Sequence, residues 1–157
     1  MHAFSYLAAA LLTATFSTSV AYAFDLQGHR GARGLAPENT IAGFERALAI
    51  GVTTLELDLG MTKDGVLVVS HDSRLNPDIT RGRDGTFLTA AGPAIQSLTF
   101  DELKRYDVGR IKPGSAYAAR FPEQRAVDGA RIPTLAEAFD LVHRAGAGHV
   151  RFNIETS

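Results

Sequence analysis

Two periods run through this chain, one changing face at every residue and one repeating every three or four, and together they lay out its elements. Phe24-Asp25-Leu26-Gln27-Gly28 alternates apolar and polar, as a strand does. Pro37-Glu38-Asn39-Thr40 opens a helix that Asn39 or Thr40 can cap. Ile41, Phe44 and Leu48 form its buried stripe, and Gly51 stops it. Thr53 to Leu59 reads as a strand whose leucines face one way while Glu56 and Asp58 face the other. After a turn at Lys63-Asp64-Gly65, Val66 to Ser70 is a further strand ending at His71-Asp72. Thr99 and Glu102 make a capping box for a helix over Phe100 to Tyr106, and Thr134 and Glu137 make one for Leu135 to Ala145. The second of these helices carries a Leu135/Phe139/Val142 stripe and stops at Gly146. Val150 to Glu155 is a strand with Val150, Phe152 and Ile154 on one face and Arg151, Asn153 and Glu155 on the other.

Strand, helix, strand, then a long excursion, helix and strand is the rhythm of a parallel α/β architecture. The polar strand faces choose within that class. Both faces of an open sheet meet helices, so an inward Glu56/Asp58 pair would be costly there. In a closed barrel the second face lines an interior that opens at the carboxyl ends of the strands. The expected fold is therefore a TIM-type (β/α) barrel of which only the first strands and helices are present, a truncated barrel. Residues 73–132 carry turn pairs such as Asn76-Pro77, Asp84-Gly85 and Gly92-Pro93, and are expected as an insertion within that single domain, 24–157.

The N-terminal residues change the picture next. Leu7 to Phe16 is an apolar run too short for a stable span, and Ala21-Tyr22-Ala23 offers a small-x-small cleavage pattern. Residues 1–23 are expected to be a signal peptide cleaved after Ala23, giving a secreted or periplasmic protein without a stable membrane anchor. The chain has no cysteine, which excludes a disulfide framework. A net charge of −1 gives no electrostatic footprint for nucleic acid.

Candidate chemistry gathers on the polar faces. Glu56 and Asp58 project from one side of a strand, roughly 6 to 7 Å apart at the backbone. Two such carboxylates repel unless a cation lies between them, and hard oxygen donors suit Ca²⁺ or Mg²⁺. Glu155, on the polar face of a later strand, is the natural third ligand. A two-residue turn at Asp64-Gly65 would set Asp58 opposite His71, where an imidazole can act as general acid or base. A longer loop would shift that register by a residue or two. His29 and Arg30 follow the first strand, flanked by glycines, and Arg30 offers a bidentate fork for phosphate oxygens.

Gly28-His29-Arg30-Gly31, Pro37-Glu38-Asn39-Thr40, Glu56-Leu57-Asp58, Thr62-Lys63-Asp64-Gly65, His71-Asp72 and Asn153-Ile154-Glu155 resemble, in order, the signature of glycerophosphodiester phosphodiesterases. The resemblance implies a TIM-type barrel that hydrolyses glycerophosphodiesters to sn-glycerol 3-phosphate and an alcohol. It implies His29 and His71 as the acid/base pair, Glu56, Asp58 and Glu155 as metal ligands, and Arg30 as a phosphate contact. Thr156 and Ser157 stand where the family commonly has a lysine. The competing expectations are a phospholipase C- or D-like barrel acting on intact lipids, and an inactive fragment.

Overall fold

The computed structural model describes residues 24–156, so the expected signal peptide at 1–23 lies outside the described residues. Strand β1 is short, Gln27–Gly28, and leads into a turn-rich loop. Helix α1 spans Ile41–Ile50. Of its two candidate caps, Thr40 does the work: its Oγ1 accepts from Gly43 N–H at 3.0 Å, and Gly51 closes the helix at φ 90°.

Strand β2, Thr54–Met61, is the centre of a four-stranded sheet. It pairs in parallel with β1 (Gln27 with Thr54) and, across six positions, with β4, Arg151–Thr156. Strand β3, Leu67–Val69, pairs antiparallel with the far end of β2. Helix α4, Leu135–Arg144, lies between the excursion and β4 in sequence. Leu55 and Leu57 are fully buried in one cluster with Phe44 and Ala47 of α1 and Ala138, Leu141 and Val142 of α4. Each large apolar side chain so buried contributes roughly 1.5 to 3 kcal/mol. Alternation along β2 then sends Glu56 and Asp58 to the opposite face.

The stripe of α4 is rotated from its expected position. Phe139 is 42% exposed, and it packs edge-on against Phe152 of β4, with ring centroids 4.7 Å apart. Ala138, Leu141 and Val142 make the buried contacts.

The hairpin register also differs from a two-residue turn. Leu59 pairs with Val69, and Ser70 N–H donates to the Asp58 carbonyl at 2.9 Å, so Asp58 faces Ser70 and His71 lies one residue beyond. The cause is a three-residue loop. Thr62 N–H donates to the Val66 carbonyl at 3.0 Å, and Gly65 takes a left-handed conformation at φ 80°. Asp64 instead accepts from Thr62 Oγ1 at 2.6 Å and from Phe100 N–H at 3.0 Å, which pins the hairpin to the next helix.

That helix, α2, spans only Phe100–Leu103, because tighter turns replace it from Lys104 onward. A one-turn helix, α3, at Ala116–Arg120 follows. The excursion buries Leu75, Ile95, Leu103, Val108 and Ile132 together with Val68 of β3, so it shares a core with the sheet and is not a separate unit. Arg81 Nη2 binds both Asp107 and Asp128 at 2.6 Å, and Arg110 forks onto Asp128, which ties the excursion's strands of chain together. Among the described residues no helix is long and apolar enough to cross a membrane.

Candidate functional site

Two parallel strands, β2 and β4, aim acidic residues at one place. Glu56 and Asp58 of β2 are 1% and 4% exposed, and Glu155 of β4 sits directly beside Asp58 in register. One carboxylate oxygen from each lies within 4.8 Å of the others. The parallel pairing is what achieves this, since equal steps along β2 and β4 keep like-facing residues level.

The loop after β1 closes over that trio. Arg30 adopts φ 52°, which turns its N–H onto Glu56 Oε2 at 2.6 Å. Gly31 follows at φ 82°, and a Cβ there would stand 2.7 Å from the Gly43 carbonyl carbon, so only glycine fits. The Arg30 guanidinium reaches Glu38 Oε1 at 3.0 Å and Asp58 Oδ2 at 3.4 Å. Asn39, at φ 50°, donates from Nδ2 to Asp58 Oδ2 at 3.0 Å. His29 Nε2 is 3.9 Å from Glu56 Oε2.

Charge is concentrated and only partly compensated here. Burial pushes the Glu56 carboxyl up, Asp58 and Glu155 add to the shift, and the Arg30 N–H works against it. Burial likewise raises Glu38 in spite of the Arg30 cation. His29 is held below its ordinary value by burial, then by Arg33 and Arg30, and these outweigh its acidic neighbours. Glu56 Oε1 is buried with no hydrogen-bond partner. An orphaned oxygen on a carboxylate clustered with two others is what a divalent cation would satisfy, and an all-oxygen donor set fits Ca²⁺ or Mg²⁺. The residues present fit such an ion.

The structure thus brings together Glu56, Asp58, Glu155, Arg30 and His29. His71 is 44% exposed by side chain, one residue past the Asp58 partner, with Nδ1 on Asp72 at 2.8 Å. Glu38 and Asn39 were not anticipated at the site. Their signal was present in the Pro37-Glu38-Asn39-Thr40 block, where Asn39 reads from sequence as a helix cap.

A profile of the glycerophosphoryl diester phosphodiesterase family matches residues 29–156, nearly everything described. The chain belongs to that family. It is 40% identical over 114 residues to a glycerophosphodiester phosphodiesterase of Caldanaerobacter subterraneus subsp. tengcongensis, a match covering 73% of this chain and 38% of that one. Human glycerophosphodiester phosphodiesterase 1 is 34% identical over 112 residues, covering 70% of this chain and 28% of its own. Among crystal structures, a Silicibacter pomeroyi DSS-3 protein assigned to the glycerophosphoryl diester phosphodiesterases superposes with TM-score 0.81 at 40% identity, covering 85% of this chain and 45% of its own. An Oleispira antarctica phosphodiesterase solved with the product sn-glycerol-3-phosphate superposes with TM-score 0.59 at 28% identity, covering 85% and 44%. The chain therefore spans less than half the length of each of these four relatives. The sheet and helices described are part of a TIM-type barrel.

Proposed function

We propose that the protein is a divalent-cation-dependent glycerophosphodiester phosphodiesterase, releasing sn-glycerol 3-phosphate and an alcohol. The observation that carries this reading is the convergence of Glu56, Asp58 and Glu155 beneath the Arg30 N–H. The named activity of the family relatives and the product held by the Oleispira antarctica phosphodiesterase agree with it. Glu56, Asp58 and Glu155 would hold Ca²⁺ or Mg²⁺, which when bound supplies charge neutralisation for the phosphate oxygens.

The chain's own groups divide the remaining work. Arg30 is anchored through Nη1 on Glu38 and through Nε near Asp58, which leaves Nη2 for a phosphate oxygen. An attacking hydroxyl, from water or from the glycerol itself, loses its proton to one imidazole of the His29/His71 pair. The other imidazole protonates the alcohol oxygen as its bond to phosphorus breaks, and where the glycerol hydroxyl attacked, water then opens the cyclic phosphate to sn-glycerol 3-phosphate. Glu38 and Asn39 brace Arg30 and Asp58, which ties the phosphate contact to the carboxylate trio.

We also infer export, with cleavage after Ala23. Mass analysis of the exported protein should find Phe24 at its N-terminus, and an intact Met1 would contradict it.

The test of function uses the full-length protein and a glycerophosphodiester such as glycerophosphocholine. His29→Ala and His71→Ala should each lower turnover by about 10² to 10⁴ while leaving cation binding largely intact. Near-normal turnover in either variant removes that histidine from the mechanism.

A further inference from the structure

His71 and Asp72 are sequence neighbours, yet the fold turns their side chains onto each other, with His71 Nδ1 and Asp72 Oδ1 2.8 Å apart. Neighbours on an extended strand point to opposite faces, so this contact requires the chain to have left β3, which ends at Val69. The loop that follows is held firmly. Ser70 Oγ donates to the Asp72 carbonyl at 3.2 Å, Leu75 N–H to the Pro93 carbonyl at 3.0 Å, and Gly92 N–H to the Leu75 carbonyl at 2.8 Å.

The second Asp72 oxygen is also engaged. Asn76 Nδ2 donates to Asp72 Oδ2 at 2.8 Å. Asn76 Oδ1 accepts from Asp78 N–H at 2.9 Å, an Asx turn across Pro77 that fixes which end of the amide faces Asp72. An ionised carboxylate only accepts, so the ring nitrogen beside Oδ1 must carry the proton. The hydrogen bonds from Asn76 and His71 therefore both run toward Asp72. A cavity of about 30 Å³ is walled by His71, Asp72 and Asn76 and also by Glu38 and Asn39, so these three residues and the brace under Arg30 share a wall.

We propose that Asp72, oriented by Asn76, is a positioning residue that holds His71 in the Nδ1–H tautomer and leaves Nε2 as the atom that exchanges protons. Its effect on turnover rests on the phosphodiesterase reading; the tautomer itself does not. When Nε2 accepts a proton, the ring becomes imidazolium and Asp72 faces the new charge through Nδ1–H. In the base role that proton comes from the hydroxyl whose oxygen bonds to phosphorus; in the acid role the imidazolium Nε2–H gives its proton to the alcohol oxygen as the bond from phosphorus breaks, and the Nδ1–H tautomer remains.

The test uses the full-length protein labelled with ¹⁵N-histidine, read by two-bond ¹H–¹⁵N correlations at a pH where the ring is neutral. His71 is assigned by the signal lost in His71→Gln. The expected wild-type pattern is protonated Nδ1 and bare Nε2. Asp72→Asn should disturb that pattern and lower kcat by about 10² to 10⁴ with KM nearly unchanged, a split that general loosening of the loop would not give. Asn76→Asp keeps the Asx-turn acceptor and sets a second carboxylate against Asp72 in place of the donor; a loss in kcat of about tenfold or more is expected. An Nε2–H tautomer in the wild type would overturn the proposal, as would an unchanged spectrum and kcat in both variants. A wild type without diesterase turnover would sink the functional reading, while the His71 spectrum would still decide this one.

Discussion

The backbone N–H of Arg30 donates to the Glu56 carboxylate at 2.6 Å, joining the loop after β1 to the centre of β2 across 26 residues of sequence. The loop thereby supplies a fixed donor to one Glu56 oxygen and leaves the other, Oε1, buried without a hydrogen-bond partner, on a carboxylate that clusters with Asp58 and Glu155. Glu56→Gln in the full-length protein should keep the shape and remove the charge. Cation affinity measured by calorimetry should fall roughly tenfold or more, because ligand charge sets affinity in oxygen sites. An unchanged affinity would place the ion elsewhere.

Asn39 contributes through two constraints at once. It occupies a left-handed backbone position at φ 50° and donates to buried Asp58 at 3.0 Å. Asn39→Ala loses the donor and fits that backbone poorly, since asparagine tolerates the left-handed region better than alanine. Stability in denaturant should fall by about 1 to 3 kcal/mol, and a change well below that would mean Asp58 finds another donor.

These two cases mark what the sequence could and could not reveal. The period-two pattern of Thr53 to Leu59 placed Glu56 and Asp58 on one face opposite Leu55 and Leu57, and β2 bears this out. Glu155 could be added from the polar face of its own strand, and the parallel register of β2 and β4 sets it level with Asp58. The role of Asn39 was hidden, because a cap and a donor to a distant carboxylate look alike until the loop's left-handed turns are known. The hairpin register slipped by one because Asp64-Gly65 suits two loop lengths. A hydrogen bond from Phe100 N–H, 36 residues away, helps hold Asp64 in the longer one. Phe139 faced outward for a similar reason: its partner Phe152 comes from β4, beyond the reach of helical periodicity.

The excursion should loosen in acid. The Arg110 fork, with Arg81, holds Asp128 far below the usual carboxylate range. Asp107 is lowered too: burial alone would raise it, but the Gly109 and Gly129 N–H groups and Arg81 prevail. Groups with depressed folded values stabilise above their unfolded value, near 3.8 here, and that contribution is lost as pH falls through the folded value. Hydrogen exchange at the Gly109 and Gly129 amides should therefore lose protection below about pH 4, ahead of the Leu55 and Leu57 amides of β2. Simultaneous loss would mean that the Arg81 contacts do not govern the excursion.

Residues 24–157 produced alone should not behave as a well-folded monomer. Among the described residues β4 pairs only with β2, and Ile154 is 38% exposed on it. An open strand edge recruits other chains. Sedimentation should find self-association or a broad, non-cooperative unfolding transition; a monomer with a sharp transition would contradict this.

The most direct measurement is the release of sn-glycerol 3-phosphate from glycerophosphocholine by the full-length protein, after exhaustive chelation and then with Ca²⁺ or Mg²⁺ restored. Wild-type release should vanish on chelation and return with the cation, and Glu56→Gln should recover little of it. Full release after chelation, with Glu56→Gln as active as wild type, would contradict a diesterase centre at Glu56, Asp58 and Glu155.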